Sequence, residues 1–128
     1  MFTREQSGKA KEAIGLYTSL FKNSEIKNIR YFKAGEPGGN EGDVKQALFT
    51  LNGQEYMALD GGTVHKFGFT PSISIFVNCE NEEELNALFG KLSEGGNVMM
   101  PPGNYGFSKK FAWAADKYGV SWQLNLAE

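Results

Sequence analysis

The sequence predicts an α+β fold built from one small unit used twice, in the order (β)αβββ–βαβββ. Three observations carry this. When the chain is slid 72 positions along itself (residue 13 onto 85), Ala13, Leu16, Tyr17 and Leu20 fall on Leu85, Leu88, Phe89 and Leu92. Each set has the i, i+3, i+4, i+7 spacing of one apolar helix face. Runs that alternate as strands do follow each helix. Both units close on a hairpin-like pair, Gln46–Leu51 with Gln54–Leu59 and Phe111–Ala115 with Val120–Leu126. Module one is expected over about residues 1–62 and module two over about 70–128, together forming a single domain. A duplication of this kind limits where a ligand can sit, because two facing half-cups enclose one cavity.

Met1–Thr3 reads as the tail of a strand, and Ser7 is placed to cap a helix running to about Phe21. Glu25–Lys33 is expected to be a strand, and the glycine-rich Ala34–Gly42 an exposed loop. Asn52-Gly53 is a hairpin signal, because both central residues of a type I′ turn need positive φ. Gly61–Phe69 crosses to the second half, which opens on the alternating strand Ser72–Asn78. Asn81 and Glu84 form a capping box at the start of the second helix, and three acids in its first turn suit the helix dipole. Gly95-Gly96 ends that helix. A short strand is expected at Val98–Met100, stopped by Pro101-Pro102 because proline cannot donate to a ladder. Asp116–Gly119 turns the last hairpin.

A chain of 128 residues, 41% hydrophobic and 22% charged, suffices for one domain with a real core. A net charge of −2 gives no electrostatic reason to expect nucleic acid. No apolar run approaches the roughly 20 residues that span a bilayer, and the N-terminus has no signal-peptide core. Cys79 is the one cysteine, so no internal disulfide can form, which favours a reducing compartment. A soluble cytoplasmic protein without nucleic-acid or membrane partners is the expectation.

Three stretches carry a family resemblance: Asn52–Asp60 (NGQEYMALD), His65–Pro71 (HKFGFTP) leading into Ser72–Cys79, and Asn104–Leu126 (NYGFSKKFAWAADKYGVSWQLNL). Together they resemble the PhnB-like proteins, often labelled demethylubiquinone 3-methyltransferase. Those belong to the vicinal oxygen chelate superfamily, with glyoxalase I and the bleomycin-resistance proteins. The resemblance implies paired βαβββ modules, a cupped mixed sheet with helices on its outer face, and commonly a homodimer. The methyltransferase label has no counterpart here in a glycine-rich strand-to-helix turn for a methyl-donor nucleotide. Similar proteins also begin with a full strand before the first helix, whereas this chain starts at its last few residues, so the first strand is expected to be truncated.

Metal-dependent members of that superfamily hold a divalent ion with four side chains, from the first and last strands of each module. By motif position these fall on Met57, Ser72 and Gln123, with the fourth ahead of Met1. A thioether, a hydroxyl and a neutral amide supply no negative charge, whereas hard ions want carboxylates and zinc wants imidazole, thiolate or carboxylate. No metal and no cofactor are therefore expected. His65 alone cannot make a site, and no local motif supports pairing it with Ser72 or Ser74 for hydrolysis. Cys79 reads as an inert thiol, Glu82–Glu84 as a helix-start cluster and Lys109-Lys110 as a solvated edge.

Alternation assigns faces. Val120, Trp122, Leu124 and Leu126 should pack on the helix, leaving Ser121, Gln123 and Asn125 toward the cup. Ser72, Ser74, Phe76 and Ala112 are expected beside them, with Leu48, Thr50, Met57 and Leu59 in module one. This neutral, partly apolar lining suits a small uncharged or aromatic molecule better than a phosphate or a metal chelate. Binding without a metal is the expected function. The alternative is a small-molecule enzyme, glyoxalase- or dioxygenase-like or other, that uses a different acid/base group such as Asp60 or His65; no catalytic residue is assigned.

Overall fold

In the computed structural model, which describes residues 1–128, β1 (Phe2–Thr3) leads through a 3₁₀ turn (Arg4–Gln6) into α1 (Ala10–Leu20). Strands β2 (Glu25–Tyr31), β3 (Val44–Leu51), β4 (Gln54–Ala58) and β5 (Asp60–Gly62) follow. The second half runs β6 (Ile75–Asn78), α2 (Glu82–Ser93), β7 (Asn97–Gly103), β8 (Lys110–Ala115) and β9 (Ser121–Leu126). The chain divides into two units, Met1–Gly68 and Phe69–Glu128. The first carries the antiparallel sheet β2-β3-β4 and a parallel β1-β5 pair; the second carries the mixed sheet β6-β9-β8-β7, in which β6 and β9 run parallel. The fold is thus α+β, and the opening strand pairs in parallel with the closing segment in both units.

The duplication is visible in the element bounds. Helix α1 begins at Ala10 and α2 at Glu82, while β2 spans Glu25–Tyr31 and β7 spans Asn97–Gly103, all at the offset of 72 (10 onto 82, 25 onto 97). The register then slips, because the connection before β3 is longer than the one before β8.

Each helix lies on one face of its own sheet. Leu85, Leu88 and Leu92 of α2 are buried against β8 and β9, each side chain contributing roughly 1.5–3 kcal/mol. The buried stripe of α1 is Ala10, Ala13, Ile14 and Tyr17, one step round from the predicted Ala13, Leu16, Tyr17 and Leu20. Leu16 and Leu20 sit half-buried at its margin.

Several local expectations are corrected. Ser7 does not cap α1; its hydroxyl accepts from Gly62 N–H at 3.0 Å, and the first helical N–H, that of Ala10, donates to Asp60 instead. Strand β6 begins at Ile75 rather than Ser72, its first pair being Ile75 with Trp122 near the start of β9. Thr70 and Ser72 hydrogen-bond locally, with their hydroxyls 2.6 Å apart, which competes with a ladder. Strand β7 runs through Pro101-Pro102 to Gly103; it is an edge strand, where prolines cost no ladder bond, and its register shifts at the prolines. The Asn52-Gly53 turn has the predicted positive φ at both residues, 51° and 80°. Asn81 caps α2 by accepting from Glu84 N–H at 2.8 Å, and the Glu84 carboxylate returns a bond to Glu80 N–H at 2.9 Å.

Candidate functional site

The face of the second sheet opposite α2 is set by β9. Trp122, Leu124 and Leu126 are buried on the helix side, so Ser121, Gln123 and Asn125 point the other way. Across the ladder, Gln123 pairs with Phe76 on one side and Trp113 on the other, and Asn125 with Asn78 and Phe111. Cross-strand partners share a face. Ala112 therefore does not line this face as expected: it pairs with Leu124 and is buried on the helix side, and Phe111 and Trp113 line the face in its place.

These residues form a neutral hydrogen-bonded chain. The Trp113 indole N–H, which can only donate, donates to the Ser121 hydroxyl at 2.9 Å. Ser121 and Ser74 hydroxyls lie 2.7 Å apart, and the Gln123 amide donates to Ser74 at 3.2 Å. Asn125 donates to Asn78 at 3.1 Å. No buried side-chain nitrogen or oxygen lacks a partner. The chain holds Gln123 in place and leaves half of its amide for another group.

Beside it stands an aromatic cluster centred on Phe111, which is only 5% exposed. Phe107 meets Phe111 edge-on at 4.9 Å, Tyr105 does so at 6.4 Å, and Phe76 lies tilted at 6.4 Å. Phe76 is 53% exposed, and Phe107 and Tyr105 are exposed as well. Sequence reasoning missed Phe107, Phe111 and Trp113 as a group. The signal was available: carrying the alternation of β9 across the hairpin places Phe111 and Trp113 opposite Asn125 and Gln123, whereas a one-residue slip selects Ala112.

Ser72, the remaining predicted lining residue of this module, stands outside β6 and is hydrogen-bonded to Thr70; Ser74 is the serine against Gln123. In module one, Leu48 pairs with Met57 on the face away from α1, and Met57 is 59% exposed. Thr50 is buried and accepts from Glu25 N–H at 3.1 Å.

Asp60 is no free acid/base group. It is 1% exposed; one carboxylate oxygen accepts from Gly8 N–H at 2.8 Å and Ala10 N–H at 3.1 Å, the other from Val44 N–H at 2.8 Å. Asp116 is engaged in the same way by Tyr118 N–H, Val120 N–H and the Trp122 indole. Burial, reinforced by the charge of Glu84, pushes the Cys79 thiol up to about 11. His65 is half-buried with its ring 4.9 Å from that of Phe67.

The superfamily's divalent ion can be tested against the side chains at its expected positions. Met57, Ser72 and Gln123 offer a thioether, a hydroxyl already bonded to Thr70 and an amide already bonded to Ser74. That set does not fit a hard divalent ion or zinc. Groups of three or more His, Cys, Asp or Glu side chains able to hold an ion occur nowhere in the chain.

Residues 1–125 match the family model described as 3-demethylubiquinone-9 3-methyltransferase. The chain belongs to this family. It is similar to a PhnB protein of Bacillus cereus, provisionally described as a 3-demethylubiquinone-9 3-methyltransferase, with 52% identity over 98% of this chain and 95% of that one and a TM-score of 0.91. The PhnB-like fold is shared with a Pseudomonas aeruginosa protein at 24% identity and TM-score 0.83, covering 98% of this chain and 93% of that one. It is shared more distantly with a glyoxalase-related enzyme of Fulvimarina pelagi at 14% identity and TM-score 0.57, covering 90% and 78%. No curated protein matches the chain. No helix of this PhnB-like chain is long and apolar enough to cross a membrane.

Proposed function

We propose that this PhnB-like chain binds a small neutral or aromatic molecule on the open face of the second module's sheet, without a metal, and works as a homodimer in the cytoplasm. The observation that carries the reading is the exposed Phe76 ring set beside the Ser74–Ser121–Gln123 chain, whose members are all uncharged. An aromatic surface supplies stacking and apolar contact, and a fixed amide supplies direction. A phosphate or carboxylate would find no cation in that chain. Methyl transfer, named in the family's description, is not part of this reading. Dimerisation is supported by the exposed edge strand β7 and by exposed apolar side chains such as Val98 and Ile73.

A thermal-shift screen of small neutral aromatics against the intact chain tests the binding claim, since a ligand that binds only the native state raises the melting point by mass action. At least one compound should do so saturably. Gln123→Leu should weaken it by about 0.5–1.5 kcal/mol, the net worth of one hydrogen bond. Affinity unchanged in both Gln123→Leu and Phe76→Ala would move the site elsewhere.

A further inference from the structure

We propose that the ligand of the second module's open face is a planar ring with a carbonyl and an N–H side by side, the pattern of a lactam. This rests on the reading of that face as the ligand site, and it follows from where the protons of the hydrogen-bonded side chains go.

Two of the donors are fixed. The Trp113 indole gives its proton to the Ser121 hydroxyl at 2.9 Å, and the Gln123 amide gives one to the Ser74 hydroxyl at 3.2 Å. The two hydroxyls share a third bond at 2.7 Å, which uses one of their two protons. The other proton is left over, since neither serine side chain has a further protein partner. Ser121 is 3% exposed, so a spare proton there would be buried without an acceptor. Ser74 is half-buried on the open face. Ser121 therefore donates to Ser74, and the Ser74 proton remains as a donor for a ligand.

Gln123 has the opposite group to offer. Its amide is anchored through nitrogen, and its carbonyl oxygen accepts from no group of the protein. An O–H donor and a C=O acceptor thus stand on neighbouring, directly bonded side chains. They match a ligand whose carbonyl meets Ser74 and whose adjacent N–H meets Gln123. Ser74 and Phe76 lie two residues apart, about 6.6 Å along the strand direction, and Phe76 stands opposite Gln123 in the ladder. A ring held at Ser74 and Gln123 therefore reaches the exposed Phe76 ring. A ring with a carbonyl alone leaves the Gln123 oxygen desolvated and unpaired, so the site discriminates against it. A carboxylate, which only accepts, meets the same oxygen without a proton between them.

Two probes that differ at one donor test this. The intact ¹⁵N-labelled chain is titrated with 2-pyridone and with N-methyl-2-pyridone, which keeps the ring and the carbonyl and lacks the N–H. 2-Pyridone should shift the amides of residues 74–78 and 121–125 saturably. N-methyl-2-pyridone should bind about fivefold more weakly, the net worth of one hydrogen bond. In Gln123→Leu the two probes should bind alike, because the acceptor that tells them apart is gone. Ser74→Ala should weaken both and keep their ratio. Equal affinity of the two probes for the wild-type chain, or a ratio that survives Gln123→Leu, would overturn the lactam inference and leave the neutral-aromatic reading standing. Saturable shifts from anisole but from neither pyridone would do the same. No shifts from any of the three would remove the inference and count against the reading beneath it.

Discussion

Asp60 and Asp116 do the same work in the two modules, and neither is chemistry in waiting. Each buried carboxylate collects three N–H donors from neighbouring segments of its own module. Removing such an acceptor strands each donor at a cost of about 1–3 kcal/mol. Asp60→Ala should therefore lower stability by at least about 2 kcal/mol in urea unfolding, with Asp60→Asn losing less because one carbonyl oxygen remains. A loss under about 0.5 kcal/mol would contradict the capping role. Cys79 makes a pH prediction. Its thiol is raised from 9.0 to about 11, so the folded state holds the proton more tightly than the unfolded state. That contribution is present below the unfolded pKa and lost as the pH rises toward the folded one. Between about pH 8 and pH 10.5 the wild type should lose more stability than Cys79→Ala, and native Cys79 should resist alkylation at the lower pH. Equal losses in the two proteins would contradict it.

Two glycines separate propensity from packing at the level of elements. Gly15 lies in α1 with nothing within 4 Å of where a Cβ would stand. Gly15→Ala should stabilise by roughly 0.5–1 kcal/mol through helix propensity alone. Gly96 ends the turn after α2, where a Cβ would stand 2.1 Å from the Ala115 carbonyl oxygen. Gly96→Ala must push backbone aside and should destabilise by about 1–3 kcal/mol, the range of an overpacked site. Matched urea curves of the two variants should diverge in opposite directions; a shift of the same sign would refute this reading of the α2–β7 turn. The helices and both hairpins were legible in the sequence, because 3.6- and 2-residue periods and the Asn-Gly turn act locally. What was not legible depended on partners: β6 starts at Ile75, beside the beginning of β9, β7 tolerates its prolines because it lies at an edge, and the buried stripe of α1 is shifted to include Ala10 and Ile14. The composition of the candidate face was legible in half. Ser74, Phe76, Ser121 and Gln123 follow from alternation, whereas Phe107, Phe111 and Trp113 needed the β8–β9 register.

At the scale of the whole molecule, the family shows the architecture and leaves the chemistry open, since one fold hosts many activities. Light scattering at micromolar concentration addresses the proposed assembly. A mass near twice 14.1 kDa is expected, and a monomer under the same conditions would exclude the dimer. The central claim is that a neutral aromatic ligand is held by Phe76 and Gln123 without a metal. Calorimetric titration of a thermal-shift hit, before and after exhaustive chelation, tests it most directly. The account predicts the same affinity in both samples and a weaker one in Phe76→Ala and Gln123→Leu. Binding that vanishes on chelation and returns with added zinc, nickel or manganese would contradict it.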